Sequence, residues 1–379
     1  MDFNLSQEQT QFADALRRWV EKDYTFEQRK NIIKSSSGTS EAAWSALTEL
    51  GAMALPIPEE QGGFNGSAVD MLVVMQELGR GLVVEPYFTT VMGAEFLKLA
   101  GGRDEFLEQI AVGEIKLACA LAEKQSRHDL FDIATHAVKN ADGYLLNGLK
   151  TIVLHGAQAN QLIVSARSSG AQRDTDGISL FIVDANATGI SRRDYRTIDG
   201  LRAADITFHQ VQVPSSSLLG DEAKGWEILD AASDYGITLL CAEAIGVMEA
   251  IFAATLEYLK TRQQFGVPIG KFQALQHRMA EMYMEMEQAR SMATLAAVKV
   301  SSSDIEERRR TVSAAKARIG PAARFIGQTA VQLHGGMGVT DELPAAHMFK
   351  RLTILELTLG DTDHHLARFV AQPGFKSAA

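Results

Sequence analysis

The hydrophobic period of this chain changes twice. From about residue 118 to 222, apolar residues alternate with polar ones in short β-branched runs separated by glycine turns; on either side they recur at helical spacing. No helical stretch long enough for a βαβ crossover lies between the strand-like runs. The sheet is therefore expected to be antiparallel and barrel-like, or a sandwich. The expected fold class is α+β multidomain: an N-terminal helical domain over 1–117, a middle β domain over 118–222 and a C-terminal helical bundle over 223–379. A length of 379 residues fits two or three domains, and 46% hydrophobic residues suffice for their cores.

Local signals refine this frame. Ser6 and Gln9 form a capping box ahead of Phe12, Leu16, Trp19 and Val20, which share one helical face. Pro56, Pro58, Gly62 and Gly63 interrupt helical continuation before the apolar run MLVVMQELGRGLVV. In the middle region, Asn147-Gly148 inside GYLLNGLKTIVLHG reads as a hairpin turn between two strands. Beyond Trp226 an apolar helix is expected to about residue 261, then a turn at TRQQFGVPIG and a second helix whose Met279, Met282, Met284 and Met286 read as core filler. Ser303 with Glu306 predicts the cap of a third helix that stops at HGGMG.

Composition excludes several functions. Lysine and arginine total 37 against 47 acids, a net charge of −10, so no general basic footprint for nucleic acid or anionic lipid exists. The most apolar stretch, 237–255, holds Glu243 and Glu249, which favours a buried helix over a membrane span. Cys119 and Cys241 stand far apart in apolar surroundings and the N-terminus lacks the pattern of an export signal, so a reducing, cytoplasmic location is expected.

Two segments carry candidate chemistry. In RQQFG, Arg262 offers a planar fork of donors suited to phosphate, and Phe265 offers a face for a flat ring; an ordinary surface turn between two helices has the same composition. In QLHGGMGVT, Gly335, Gly336 and Gly338 follow a helix rather than a strand, so the dinucleotide fingerprint of a parallel α/β fold is not met. Paired glycines still allow a backbone to approach a phosphate closely, and a helix C-cap explains them equally well.

Taken together and in order, RQQFGVPIGKFQALQHRMAEM at 262–282 and AVQLHGGMGVTDELP at 330–344 resemble the C-terminal domain of the acyl-CoA dehydrogenase family of flavoproteins. LPIPEEQGG in the first region and LRAADITFHQVQVPSSSLLG in the second extend the resemblance over the whole chain. Within the family the chain is most similar to bacterial small subunits of heteromeric enzymes acting on pimeloyl-CoA or steroid side chains. The resemblance implies a three-domain fold whose C-terminal part is a four-helix bundle, FAD as cofactor, an acyl-CoA substrate, an electron-transfer flavoprotein as acceptor and a tetrameric assembly. It implies that Arg262, Phe265 and Gln273 reach the FAD of a neighbouring subunit, and that Gln332, Gly335 and Gly336 meet the same cofactor's adenosine and pyrophosphate half.

The chain departs from the family where the reaction needs a base. Where the family commonly reads Glu-Gly-Thr, this sequence reads Leu359-Gly360-Asp361; the alternative glutamate seat on the first long C-terminal helix is Gly236. On the flavin-facing side of the middle domain, Ala122 and His128 replace threonine and serine contacts, and Ile152-Val153-Leu154 replaces Trp-x-Thr. These absences suggest a base-lacking small subunit that completes the FAD site of a related, larger partner. Two alternatives stay open: a self-sufficient homotetramer whose base is displaced to Asp361 or, second, Asp234; and a purely structural subunit. A metal site in GDTDHH is disfavoured, since His364 and His365 point apart on a helix, and Asp361 or Thr362 capping a last helix is the expected use.

Overall fold

The structure, a computed structural model, describes residues 5–373. Six helices come first: α1 (Gln7–Asp23), α2 (Phe26–Lys34), α3 (Glu41–Glu49), α4 (Ala68–Arg80), α5 (Tyr87–Ala100) and α6 (Asp104–Ala111). Eight strands follow: β1 (Leu117–Ala120), β2 (His136–Asn140), β3 (Gly143–Leu154), β4 (Gln161–Arg167), β5 (Ile178–Asp184), β6 (Ile190–Arg196), β7 (Arg202–Val213) and β8 (Leu218–Leu219). The chain then forms α7 (Trp226–Thr261), two-residue strands β9 (Gln263–Gln264) and β10 (Val267–Pro268), and helices α8 (Gln273–Lys299), α9 (Ile305–His334), α10 (Pro344–Leu357) and α11 (Thr362–Val370). This is the expected helical, β, helical order. Two compact units divide it, one of residues 31–66 and 84–236, the other holding the remainder of the described chain.

In the first unit the strands form one sheet in the order β6-β7-β3-β2-β4-β5-β8, with β1 beside β4. Most pairs are antiparallel, but β1 runs parallel to β4, and β2 meets β4 in parallel at His136 and Arg167. β3, antiparallel to β2, returns the chain so that β4 can run parallel to β2. Asn147-Gly148 is not a turn. β3 runs straight through it with a bulge against β7, and the β2–β3 connection lies at 141–142 instead. Asn147 Oδ1 accepts the Gln210 N–H at 2.8 Å, bracing the bulge. A Cβ on Gly148 would lie 2.3 Å from Thr135 Oγ1, so glycine serves close approach here rather than chain reversal. Tyr144 meets Phe181 edge-on, ring centroids 5.1 Å apart, within a core that also buries Leu146, Val164 and Phe208.

In the second unit the Ser6–Gln9 capping box is formed as expected, and α1 buries Ala13, Leu16, Trp19 and Val20. α4 crosses α7 at reciprocal glycines. A Cβ on Gly246 would fall 1.9 Å from Gln76 O, and one on Gly79 2.3 Å from Glu243 O, so the two backbones approach as only glycine allows. α7 is long and apolar enough to cross a membrane, yet 78% of its most apolar window is buried within the fold. The two carboxylates of the apolar stretch 237–255 are paired: Glu243 takes a two-bonded Arg351 at 2.6 and 2.7 Å, and Glu249 pairs with Arg80 and Arg290. Two expectations need correction. The cap of α9 is Asp304, whose Oδ1 accepts from Glu306 and Glu307 N–H at 3.0 and 3.1 Å, because it stands one residue nearer the first turn than Ser303. Met279, Met282 and Met286 are core, but Met284 faces outward on α8.

Candidate functional site

The turn after α7 is a β-hairpin whose two central residues are both left-handed, Phe265 at φ 55° and Gly266 at φ 77°. Two positive φ values suit the twist of a two-residue hairpin, but in an aromatic residue this conformation is a strained outlier. Its effect is to hold Phe265 out: the residue is 91% exposed, with the edge of Phe272 at 6.0 Å. Arg262 stands at the hairpin base, its N–H bonded to Tyr258 O at 2.8 Å and its carbonyl accepting Ile269 N–H at 2.9 Å. The guanidinium is exposed and has no side-chain partner among the described residues. Gln273, the first residue of α8, is also exposed.

α9 ends at His334, and Gly335 turns the chain at φ 61°. A Cβ built on Gly335 or Gly336 meets nothing within 4 Å, whereas one on Gly338 would strike Val331 O at 2.4 Å. The first two glycines therefore present bare backbone to the outside, and the third is a packing glycine. Tyr258 joins this turn to the hairpin: its ring stacks on His334 at 4.5 Å and its hydroxyl donates to His334 O at 3.3 Å. Tyr258 also carries the carbonyl that holds Arg262. The structure thus groups Arg262 and Phe265 with the Gly335-Gly336 turn, and Gln332 lies exposed on the last turn of α9. A planar cation, a free aromatic face, exposed amides and open glycine backbone fit the adenosine and pyrophosphate portion of FAD.

The carbonyls of Thr358, Leu359 and Asp361 in the loop from α10 to α11 each accept a hydrogen bond. Lys316 Nζ, buried in α9, donates to Leu355 O at 2.5 Å and Thr358 O at 2.8 Å. Leu359 takes a left-handed φ of 56° and is half-buried. Its carbonyl accepts from His365 Nε2 at 3.0 Å. A Cβ on Gly360 would sit 2.6 Å from His365 Nε2 and 2.7 Å from His364 Cδ2. Asp361 is the N-cap of α11, with Oδ1 accepting the His364 N–H at 2.9 Å. Burial, and then the nearby Lys316 charge, push the His365 imidazole down to about 2, so it is neutral. Gly236 and Asp234 both lie buried within α7. Among the described residues no group of three or more His, Cys, Asp or Glu is placed to hold a metal ion.

On the β unit, Ile152 occupies the bulge of β3 at φ 53° with 62% of its surface exposed, strained for a β-branched residue. Its N–H is held by Asp205 Oδ1 at 3.2 Å, and Asp205 is itself fixed by Tyr195 Oη at 3.0 Å and Arg193 at 2.6 Å. Ala122, whose carbonyl accepts Thr151 N–H at 2.9 Å, and half-buried Leu154 carry no side-chain donor for a flavin ring. Sequence reasoning missed the group that shapes this loop. Glu123 accepts from Ala134 N–H at 2.8 Å, Thr135 N–H at 3.1 Å and Lys150 Nζ at 2.8 Å, and Lys150, fully buried, also reaches Ser165 Oγ at 3.0 Å. Burial works against the Glu123 charge, but the Lys150 ammonium and the donors around it hold its carboxyl down to about 2.

Three family profiles account for the chain in order: the N-terminal domain of acyl-CoA dehydrogenase over residues 6–114, the middle domain over 118–211 and the C-terminal domain over 223–372. The chain belongs to the acyl-CoA dehydrogenase family, whose cofactor is FAD. It is 29% identical to a short-chain-specific acyl-CoA dehydrogenase of Clostridium acetobutylicum, with 96% of this chain and 97% of that protein covered. The structure matches butyryl-CoA dehydrogenase from Megasphaera elsdenii at TM-score 0.89 and 28% identity, covering 97% of this chain and 98% of that one. It matches a chain of the ChsE4–ChsE5 complex from Mycobacterium tuberculosis at TM-score 0.87 and 25% identity, covering 97% of each.

Proposed function

We propose that this chain is the base-lacking small subunit of a heteromeric acyl-CoA dehydrogenase and completes an FAD site held mainly by a related catalytic subunit. One contrast carries the reading. The edge that would meet a neighbour's cofactor, Arg262, Phe265, Gln273, Gln332 and the Gly335-Gly336 backbone, stands exposed. Both seats for a catalytic carboxylate hold residues that cannot take a proton, Leu359 and Gly236. Asp361 is already spent as a helix cap.

When bound, FAD would supply the hydride acceptor for the acyl-CoA β-hydrogen, and the reaction would need a carboxylate to take the α-proton. This chain's part is positioning: Arg262 pairs with phosphate charge, Phe265 covers a flat ring, and the bare glycine backbone admits the pyrophosphate. The partner supplies the base. Likeness to the ChsE4–ChsE5 complex supports an assembly of unlike chains, and the sequence resemblance favours a tetramer, a bulky or dicarboxylic acyl-CoA, an electron-transfer flavoprotein as oxidant and a cytoplasmic setting.

Anaerobic titration with acyl-CoA thioesters, followed by visible flavin absorbance, tests this. The lone chain does not bleach flavin, the co-expressed pair does, and Asp361→Ala in this chain leaves the bleaching rate of the pair unchanged while costing about 0.5–2 kcal/mol of stability as a lost cap. Bleaching by the lone chain that disappears in Asp361→Ala would instead make Asp361 a base. Phe265→Gly separates cofactor contact from folding: glycine relieves the left-handed strain, so the lone chain's stability changes by less than about 1 kcal/mol, while FAD binding by the pair weakens by about 1–3 kcal/mol for the lost aromatic face. Equal FAD affinity in the parent pair and the variant pair contradicts the role given to Phe265.

A further inference from the structure

The bare backbone of Gly335 and Gly336 depends on what holds the segment 335–343. Thr340 Oγ1 closes it on Met337 O at 3.0 Å, and its far end is gripped by α10. His347 Nε2 lies 3.1 Å from Asp341 O, and Lys350 Nζ, one turn further on, lies 2.7 Å from Asp341 Oδ1. Behind His347 stands α2. Arg29 Nη1 is 3.1 Å from His347 Nδ1, and Phe26 meets the imidazole edge-on with ring centroids 5.0 Å apart. Arg29 is itself buried and anchored through Nε to Leu82 O at 2.7 Å. These bonds fix the tautomer. A guanidinium can only donate, so His347 Nδ1 is bare and accepts, and the ring hydrogen sits on Nε2, which donates to Asp341 O. Burial, and then the Arg29 and Lys350 charges, lower the imidazole below its ordinary 6.5, in keeping with a neutral ring.

We infer that His347, set by Arg29, is a positioning residue for cofactor binding: it pins the Asp341 carbonyl and so holds the segment 335–343 ready for a pyrophosphate. This rests on the cofactor edge proposed above and adds the group that keeps that edge in place. The His347–Asp341 bond closes the segment at its end as the stack of Tyr258 on His334 closes it at its beginning. Between these fixed ends lie two adjacent glycines, the backbone with most freedom to lose on binding. A segment already held in shape does not have to be ordered by the cofactor, and affinity rises by the cost avoided.

The test is titration of the flavin-free pair of subunits with FAD, this chain being parent, His347→Leu, His347→Met or His347→Gln, beside urea unfolding of each lone chain. His347→Leu and His347→Met fill the site without making either bond, and the flexible thioether chain keeps a folded apolar variant in the set. His347→Gln is the conservative change, its amide oxygen accepting from Arg29 and its NH2 donating to Asp341 O. The expected result is a dissociation constant for FAD raised about tenfold by the two apolar variants and held within about threefold of the parent by His347→Gln. Parent-like FAD affinity in the apolar variants overturns the inference and leaves the heteromer standing. Binding by His347→Gln as weak as theirs, or a loss of affinity that merely follows the urea midpoints, assigns His347 to folding alone and overturns it as well. A parent pair that takes up no FAD removes the heteromeric reading itself.

Discussion

Lys150→Met is expected to destabilise the chain by about 3–5 kcal/mol, the usual consequence of stranding one member of a buried ion pair. Lys150 is fully buried and its partner Glu123 nearly so. Removing the ammonium leaves a buried carboxylate hydrogen-bonded to the N–H groups of Ala134 and Thr135 and the Gln125 amide, with no ion-paired cation left among the described residues. The Glu123→Gln/Lys150→Met pair should recover a large part of the loss, because the buried charge then disappears. Urea unfolding of the three proteins decides the matter, and a single variant as stable as the parent contradicts it. The pair also sets a pH window. The Glu123 carboxyl is lower in the fold, about 2, than its ordinary 4.5, so the unfolded chain binds the proton first. The stability it contributes is fully present above pH 4.5 and is lost as the pH falls toward 2.

His365 gives a second large effect at milder pH. Its imidazole is held neutral down to about 2 by burial and by Lys316, against an ordinary value of 6.5. Below pH 6.5 the unfolded chain takes up a proton that the fold refuses, and stability falls by up to about 1.4 kcal/mol per pH unit. Between pH 6.5 and 5 this amounts to roughly 2 kcal/mol. His347 adds to the same trend, since burial lowers it too. His365→Gln should flatten the slope, at a fixed cost near neutrality of about 1 kcal/mol for the disturbed bond to Leu359 O. Urea midpoints at three pH values for parent and variant test this, and an unchanged slope in the variant assigns the acid sensitivity elsewhere.

The sequence exposed what local patterns decide. The change from helical period to period two and back places the β segment, and the Ser6–Gln9 box starts α1 where the pattern says. The break at RQQFG is legible as a turn, but its twist, and with it the outward Phe265, depends on backbone angles that a residue string does not carry. Asn147-Gly148 misleads for a related reason. The pair favours a turn locally, yet β7 pairs with β3 on both sides of it, and a long-range ladder outweighs one dipeptide. Ser303 and Asp304 are both good caps, so the register between them is settled only by which carboxylate or hydroxyl meets the first free N–H groups. Glu123 and Lys150 stand 27 residues apart and Lys316 lies 39 from the Leu355 carbonyl it binds, distances at which no spacing rule operates. In TLGDTDHH the residue types suggested a base, a metal site or a cap, and the bonds of Asp361 and His365 favour the cap.

The central claim, that this chain lends a cofactor-facing edge to another subunit's active site, is most directly tested by FAD stoichiometry. Flavin absorbance per chain should be measured for the protein expressed alone and co-expressed with the catalytic subunit. Little or no FAD on the lone chain, and about one FAD per pair of unlike chains in the complex, is the predicted result. About one FAD per chain on the protein alone would contradict it, and would return the search for a base to this chain's own carboxylates.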